Sequence, residues 1–392
     1  MKKMTSARMT ARVIAALLMC ASSAMAQEEL KIGAIGSLSG GGTAWGLALQ
    51  RGVTLAIDEV VKAGGLKIGG KTYTPKLVMY DDQYTATGGK TAAERLVNLD
   101  KVKYIIGPIG SPPVLSSVAV TSPNKVIQLS NGFAPAILKN DAGSPYNFRT
   151  MNSNTEFGPA MIKWLHTNYP NIKKVALIVP NDAVGQAVIP TLVEAYKANG
   201  IEVWTDMYER GAKEFGPLLT RMIAQNVDLF DLNSNAPGEA GLLLKQARQA
   251  GYDKMIWQVG GPSVEEIVAV AGPLADGFLS YDVFDFNSEH AQQFEKAYHA
   301  KWDGIINAQA PGWYNSAKIL FKALETAGST EVDAVRDAIM KIEGWDPGMY
   351  GPVSWGGKAD YGVAHQLLLN FWIVEVKQGK SVIRAKLTPE KR

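Results

Sequence analysis

From Leu30 onward, short β-branched or apolar runs alternate with longer segments of helical period, and nothing else in the sequence constrains the fold as strongly. It is the pattern of parallel strands covered by helices. Strands are expected over residues 31–35, 76–80, 104–106 and 126–129, with helices over 45–61, 88–99 and 114–122 between them. After Asn147-Phe148-Arg149 the alternation restarts, with strands over 175–179, 202–207, 229–232 and 255–259 and helices over 156–168, 188–199, 217–225 and 239–250. Two such units are more than one sheet should need, so the chain reads as two lobes.

The remainder holds too few elements for a third unit: strands over 277–281 and 366–376, and helices over 289–302, 315–326 and 332–342. They must complete sheets begun earlier. The chain is therefore expected to return to the first lobe near Gly277 and to cross again near Gly351. That gives residues 27–147 plus 277–350 in lobe 1 and 148–276 plus 351–392 in lobe 2, with three crossings.

The chain has 392 residues, 46% hydrophobic and 20% charged, which excludes intrinsic disorder and leaves ample chain for a core without disulfide or metal staples. Its net charge of +3 comes from the start of the chain. The first 26 residues carry Lys2, Lys3, Arg8 and Arg12 and no acid; without them 36 basic residues face 37 acidic ones, a net of −1. The case for nucleic acid goes with them. This stretch has a basic start, an apolar run from Val13 to Cys20 and the ending Ala24-Met25-Ala26 before Gln27, the parts of a secretory signal cleaved after Ala26. Residues 1–26 are thus read as a signal peptide, and the mature chain as exported to the periplasm. A lipid anchor on Cys20 is disfavoured by Met19, which is bulky where a small residue is needed. Because Cys20 is the single cysteine, cleavage removes thiol catalysis and disulfides together.

The first strand runs into Gly33-Ala34-Ile35-Gly36-Ser37-Leu38-Ser39-Gly40-Gly41-Gly42, which fits neither the dinucleotide nor the P-loop spacing. A second turn, Gly107-Pro108-Ile109-Gly110-Ser111-Pro112-Pro113, places Ser111 at the N-cap of the next helix. Two roles stay open for Ser111: capping that helix, or binding a ligand at the C-terminal end of a parallel strand, where open α/β sheets hold ligands. The four histidines, His166, His290, His299 and His365, form no metal-ligand spacing, and no Ser sits in G-x-S-x-G. Neither a metal, a cofactor nor an enzymatic activity is expected. Trp45, Phe133 and Trp313-Tyr314 each suit packing, but several rings near strand ends would make an apolar cleft wall.

The order of Leu30-Lys31-Ile32-Gly33, Leu38-Ser39-Gly40 with Trp45-Gly46, Ala63-Gly64-Gly65-Leu66, Asp81-Asp82-Gln83, Ile106-Gly107-Pro108 with Ser111, and Phe148-Arg149-Thr150 resembles the leucine/isoleucine/valine-binding proteins of ABC importers. The resemblance spans residues 30–376. It implies a type I periplasmic binding protein: two doubly wound α/β lobes joined by three hinge crossings, closing on a small molecule and delivering it, as a monomer, to an ABC permease in the inner membrane.

The resemblance also implies a set of ligand-binding positions. Family amino-acid binders hold the carboxylate with a Ser after the Gly-Pro turn, matched by Ser111, and with a Thr in the next loop, where Gly132-Phe133-Ala134 stands and Ala134 replaces the Thr. The ammonium-binding Glu is replaced by Gly260, and the second-lobe tyrosines by Val184 and by Asn233-Ser234-Asn235, so Ser234 and Asn235 join Trp45 as candidates. A buried ammonium without its carboxylate is costly. The expected ligand is a monocarboxylate with an apolar or aromatic body, or a neutral amide-like solute. The alternatives are a branched-chain amino acid and the role of an exported ligand-sensing subunit.

Overall fold

The computed structural model describes residues 27–139, 145–261 and 263–389; the expected signal peptide lies outside them. The first strand, β1 (Glu28–Gly36), is flanked on both sides by parallel partners, β3 (Lys71–Asp81) and β4 (Tyr104–Ile109). Continuing outward, β5 (Ile127–Asn131) and β6 (Asn147–Arg149) add in parallel, while β2 (Leu66–Ile68) pairs antiparallel with β3 at the other edge. A chain that leaves β1 to one side and then returns to its other side creates a switch point, where the loops at the strand ends diverge and leave a crevice.

The second sheet repeats the device. Strand β7 (Lys174–Pro180) is flanked in parallel by β8 (Glu202–Tyr208) and β9 (Leu229–Asp231), followed by β10 (Met255–Trp257) and β11 (Leu279–Asp282). Central strands such as β4 and β5 are buried at every position, as strands covered by helices on both faces must be.

Two expected boundaries are corrected by strand pairing. Strand β11 joins the second sheet beside β10, so the return to the first lobe follows Asp282 rather than Gly277. The expected single strand over 366–376 is two strands: β13 (Gln366–Leu367) pairs with β6 and with β12 (Trp355–Gly356) in the first sheet, whereas β14 (Phe371–Lys377) joins the second, with β15 (Lys380–Leu387) at its edge. The third crossing therefore lies between Leu367 and Phe371, not near Gly351. At that crossing the Asn152 side chain replaces a strand neighbour: its Nδ2 donates to the Leu369 carbonyl (2.6 Å) and its Oδ1 accepts the Leu369 N–H (3.0 Å). The run stays apolar because both lobes bury it, and hydropathy cannot show where it changes sheets.

Candidate functional site

Loops from the C-terminal ends of both sheets line a narrow cleft between the lobes. The first lobe supplies Trp45, Tyr84, Ile109, Gly110, Asn131, Gly132, Phe133 and Gln309; the second supplies Val184, Ser234 and Gly261. No side chain in this lining carries a formal charge. Two ring contacts shape the wall: Trp45 meets Tyr84 at 5.4 Å between centroids, and Phe133 meets Phe157 of the second lobe edge-on at 5.5 Å.

What polarises the cleft is backbone. Trp45 lies in the first turn of helix Thr43–Lys62, Gly110 caps helix Ser111–Thr121, and Gln309 caps helix Ala310–Ala327. These three first-lobe helices have no side-chain cap and no acidic residue in their first turn, so their positive dipole ends are not neutralised by their own side chains, although Pro112, Pro113 and Pro311 supply no N–H there. The second lobe differs. Asp182 accepts from the Val184 and Gly185 amides (2.9 and 3.1 Å) at the start of helix Ala183–Ala198, and Glu239 accepts from the Ala236 amide at the start of helix Pro237–Gln249. An anionic group is therefore better served on the first-lobe wall.

The structure brings Trp45, Gly132, Phe133, Val184 and Ser234 together in the lining. Ser111, Ala134, Asn235 and Gly260 sit behind it. Ser111 is not the N-cap, a correction to the sequence reading: Gly110 takes that position at φ +95°, and the buried Ser111 Oγ accepts the Ala134 N–H at 3.0 Å. That bond ties the Gly132–Ala134 loop to the helix start. Gly110 must be glycine twice over, because its φ is left-handed and a Cβ there would stand 2.5 Å from the Tyr84 ring. Asn235 is turned into the second lobe, donating to the Ile178 carbonyl and accepting from the Tyr208 hydroxyl. A Cβ on Gly260 would meet the Phe133 ring at 3.1 Å. Phe133 thus occupies the space that a side chain at 260 would need.

Tyr84, Ile109, Asn131, Gln309 and Gly261 were not singled out by the sequence reading. Asn131 and Trp45 carry the clearest chemical signal: Asn131 Oδ1 and Trp45 Nε1 are buried without a hydrogen-bond partner among the described residues. Behind the wall, the fully buried Arg149 donates from Nη1 to the Gly132 carbonyl (3.0 Å) and from Nε to Gln366, lies over the Tyr361 ring at 4.6 Å, and faces Glu156 Oε1 at 3.9 Å. Glu156 belongs to the capping box of helix Asn154–Asn168 in the second lobe, so one guanidinium links the hinge to the Phe133 loop. Asp82 lies below Tyr84 and accepts from its amide (2.7 Å) and from Ser37 Oγ (2.6 Å); burial pushes its carboxyl up to about 6. Among the described residues no group of three or more His, Cys, Asp or Glu could hold a metal ion.

A sequence profile of the periplasmic binding protein family matches residues 29–381. The chain belongs to this family. Among its relatives, a leucine-, isoleucine-, valine-, threonine- and alanine-binding protein of Pseudomonas aeruginosa is 26% identical over 81% of this chain and 84% of its own length. A Leu/Ile/Val-binding protein of Rhizobium johnstonii is 28% identical over 91% of this chain and 95% of its own. Among solved structures, the branched-chain amino acid transporter substrate-binding protein LivJ of Streptococcus pneumoniae, in complex with isoleucine, is 25% identical with a TM-score of 0.80, covering 92% of this chain and all of its own. A solute-binding protein of an ABC transporter from R. palustris, in complex with benzoate, is 23% identical with a TM-score of 0.79, covering 92% and 97%. This chain is accordingly a periplasmic substrate-binding protein by family, similar over most of its length to Leu/Ile/Val-binding proteins.

Proposed function

We propose that the protein is the periplasmic receptor of an ABC importer whose ligand is a small monocarboxylate with an apolar or aromatic body, passed to a permease in the inner membrane. The make-up of the cleft carries this reading: aromatic and aliphatic walls, no carboxylate in the lining to pair with an ammonium, and three uncapped helix N-termini on one side to receive an anion. Ser111 is the candidate for the carboxylate end through its N–H at the helix start, its hydroxyl being engaged by Ala134. Trp45 Nε1 is a second donor for the same ligand. Benzoate bound to a structural neighbour supports the size and chemistry of such a ligand in this fold.

A second reading, a branched-chain amino acid, is favoured by the names of the relatives and by one residue. Asn131 Oδ1 is an unpartnered buried acceptor that an ammonium could use. Thermal-shift screening against amino acids, aromatic acids and aliphatic acids separates the two. A ligand at 100 times its Kd stabilises the form that binds it by about 2.7 kcal/mol, so a response to benzoate or 4-methylpentanoate with none to leucine supports the first reading, and the reverse pattern replaces it with the second.

A further inference from the structure

Arg210 belongs to the second lobe, and each of its three guanidinium nitrogens makes a hydrogen bond within that lobe. Nε donates to Asp182 (2.6 Å), Nη1 to Glu239 (3.1 Å) and Nη2 to the Ser234 carbonyl (3.3 Å). These partners fix the guanidinium as a rigid plate and tie together the loops that carry Val184 and Ser234. The plate faces the other lobe: its centre lies 5.0 Å from the centroid of the Tyr84 ring, which in turn packs on Trp45.

Tyr84 is built to receive it. The residue holds φ +60°, a conformation costly for a non-glycine residue, and its amide is fixed by Asp82 Oδ1 at 2.7 Å. Its ring is set between Gly42 and Gly110, where a Cβ on either would come within 2.5 Å. These are the two glycines that cap the helices beginning at Thr43 and Ser111. A strained aromatic residue, seated on Trp45 and between two glycines of its own lobe and covered by an immobilised cation of the other, is an arrangement completed only when the lobes are together.

We propose that Arg210 is a cross-cleft latch: its guanidinium, held by three bonds within the second lobe, closes on the face of Tyr84, and this contact sets the closed population and the rate at which ligand escapes. Arg210 is thus a positioning residue for retention of ligand, not a ligand contact. The latch itself does not depend on the ligand class proposed above; only the dissociation measurement does.

The test uses nitroxide labels on Leu99→Cys and Leu274→Cys, one on each lobe of the protein from Gln27 onward, with Arg210→Ala, Arg210→Lys, Tyr84→Leu and the Arg210→Ala/Tyr84→Leu pair. Inter-label distances are measured without ligand and with saturating benzoate, and benzoate dissociation is followed by stopped flow. Arg210→Ala and Tyr84→Leu should each lengthen the distances and speed benzoate release roughly 2- to 30-fold, with little change in association rate, and Arg210→Lys should recover part of the loss. The double variant should be no faster than the worse single one. Additive effects in the double variant, or distances unchanged by Arg210→Ala, would overturn the latch. If benzoate binds not even the parent protein, the proposed ligand class fails, and the distances alone decide on Arg210.

Discussion

Gly260 shows how a single missing side chain redirects a site. With no Cβ at 260, the Phe133 ring advances to the second lobe and the cleft gains an aromatic wall in the region where a charge partner for an ammonium was expected. Gly260→Ala should push Phe133 back and weaken closure, giving a larger radius of gyration in the presence of ligand by small-angle scattering; an unchanged radius would show that the ring yields at no cost. Ser111 makes the complementary case, because its hydroxyl works inside the protein. Ser111→Ala leaves the buried Ala134 N–H without its acceptor, a loss of about 1–3 kcal/mol that urea unfolding should reveal, and ligand affinity should fall with it as the Phe133 loop loosens. Stability unchanged by this substitution would mean that the Ala134 amide finds another partner.

Asp231 gives the residue scale a pH dependence. Burial pushes its carboxyl up to about 7, against an unfolded value near 3.8, while Tyr196 and the Val259 amide bond to it. A carboxyl that holds its proton more tightly when folded contributes stability that is complete below the unfolded value and is lost as pH rises through the folded one. Asp231→Asn should therefore stabilise the protein at pH 8 more than at pH 4, seen as a flatter dependence of Tm on pH. Equal shifts at both pH values would place the ionised carboxylate in a better-compensated setting than its burial implies.

At the scale of elements, the principal strands and helices were legible because their period is local. The expected helix over 45–61 is Thr43–Lys62, and the strand over 175–179 is Lys174–Pro180. What stayed hidden depends on contacts distant in sequence. The strand over 366–376 divides because Gln366 pairs with Arg149 and Leu369 is held by Asn152, neither of which affects its hydropathy. Strand β15 alternates between exposed and half-buried residues and has no fully buried position, an edge that its pairing with β14 defines. Within the site, Trp45 and Phe133 were read from their places after turns and strands, and Gly132, Val184 and Ser234 from the resemblance to the Leu/Ile/Val-binding proteins; all five lie in the lining. Tyr84 and Gln309 were not, since their positions follow from how distant helices begin around one cleft. Arg149 belongs to this scale as well, for it joins β6, the Gly132 loop and the capping box of helix Asn154–Asn168. Arg149→Met removes a buried cation and leaves Glu156 without it, so stability should fall by about 3–5 kcal/mol in denaturant unfolding. A smaller loss, with ligand affinity preserved, would show that the loop is held by Ser111 alone.

The whole molecule is two similar sheets set with their switch points face to face, so that neither lobe alone encloses a small ligand. The division of labour between them is electrostatic. Three first-lobe helices begin uncapped at the cleft, while the second-lobe helices beginning at Ala183 and Pro237 have their first amides engaged by Asp182 and Glu239. An anion is attracted to one wall and a body without charge suits the rest. An ammonium in the same space meets no carboxylate in the lining, and desolvating it there is unfavourable. Isothermal calorimetry of the protein with benzoate, 4-methylpentanoate and leucine tests this most directly, because the last two differ chiefly in the amino group. The account predicts binding of benzoate or 4-methylpentanoate at least about tenfold tighter than leucine, a difference of about 1.4 kcal/mol; micromolar binding of leucine with both amine-free acids silent would contradict it.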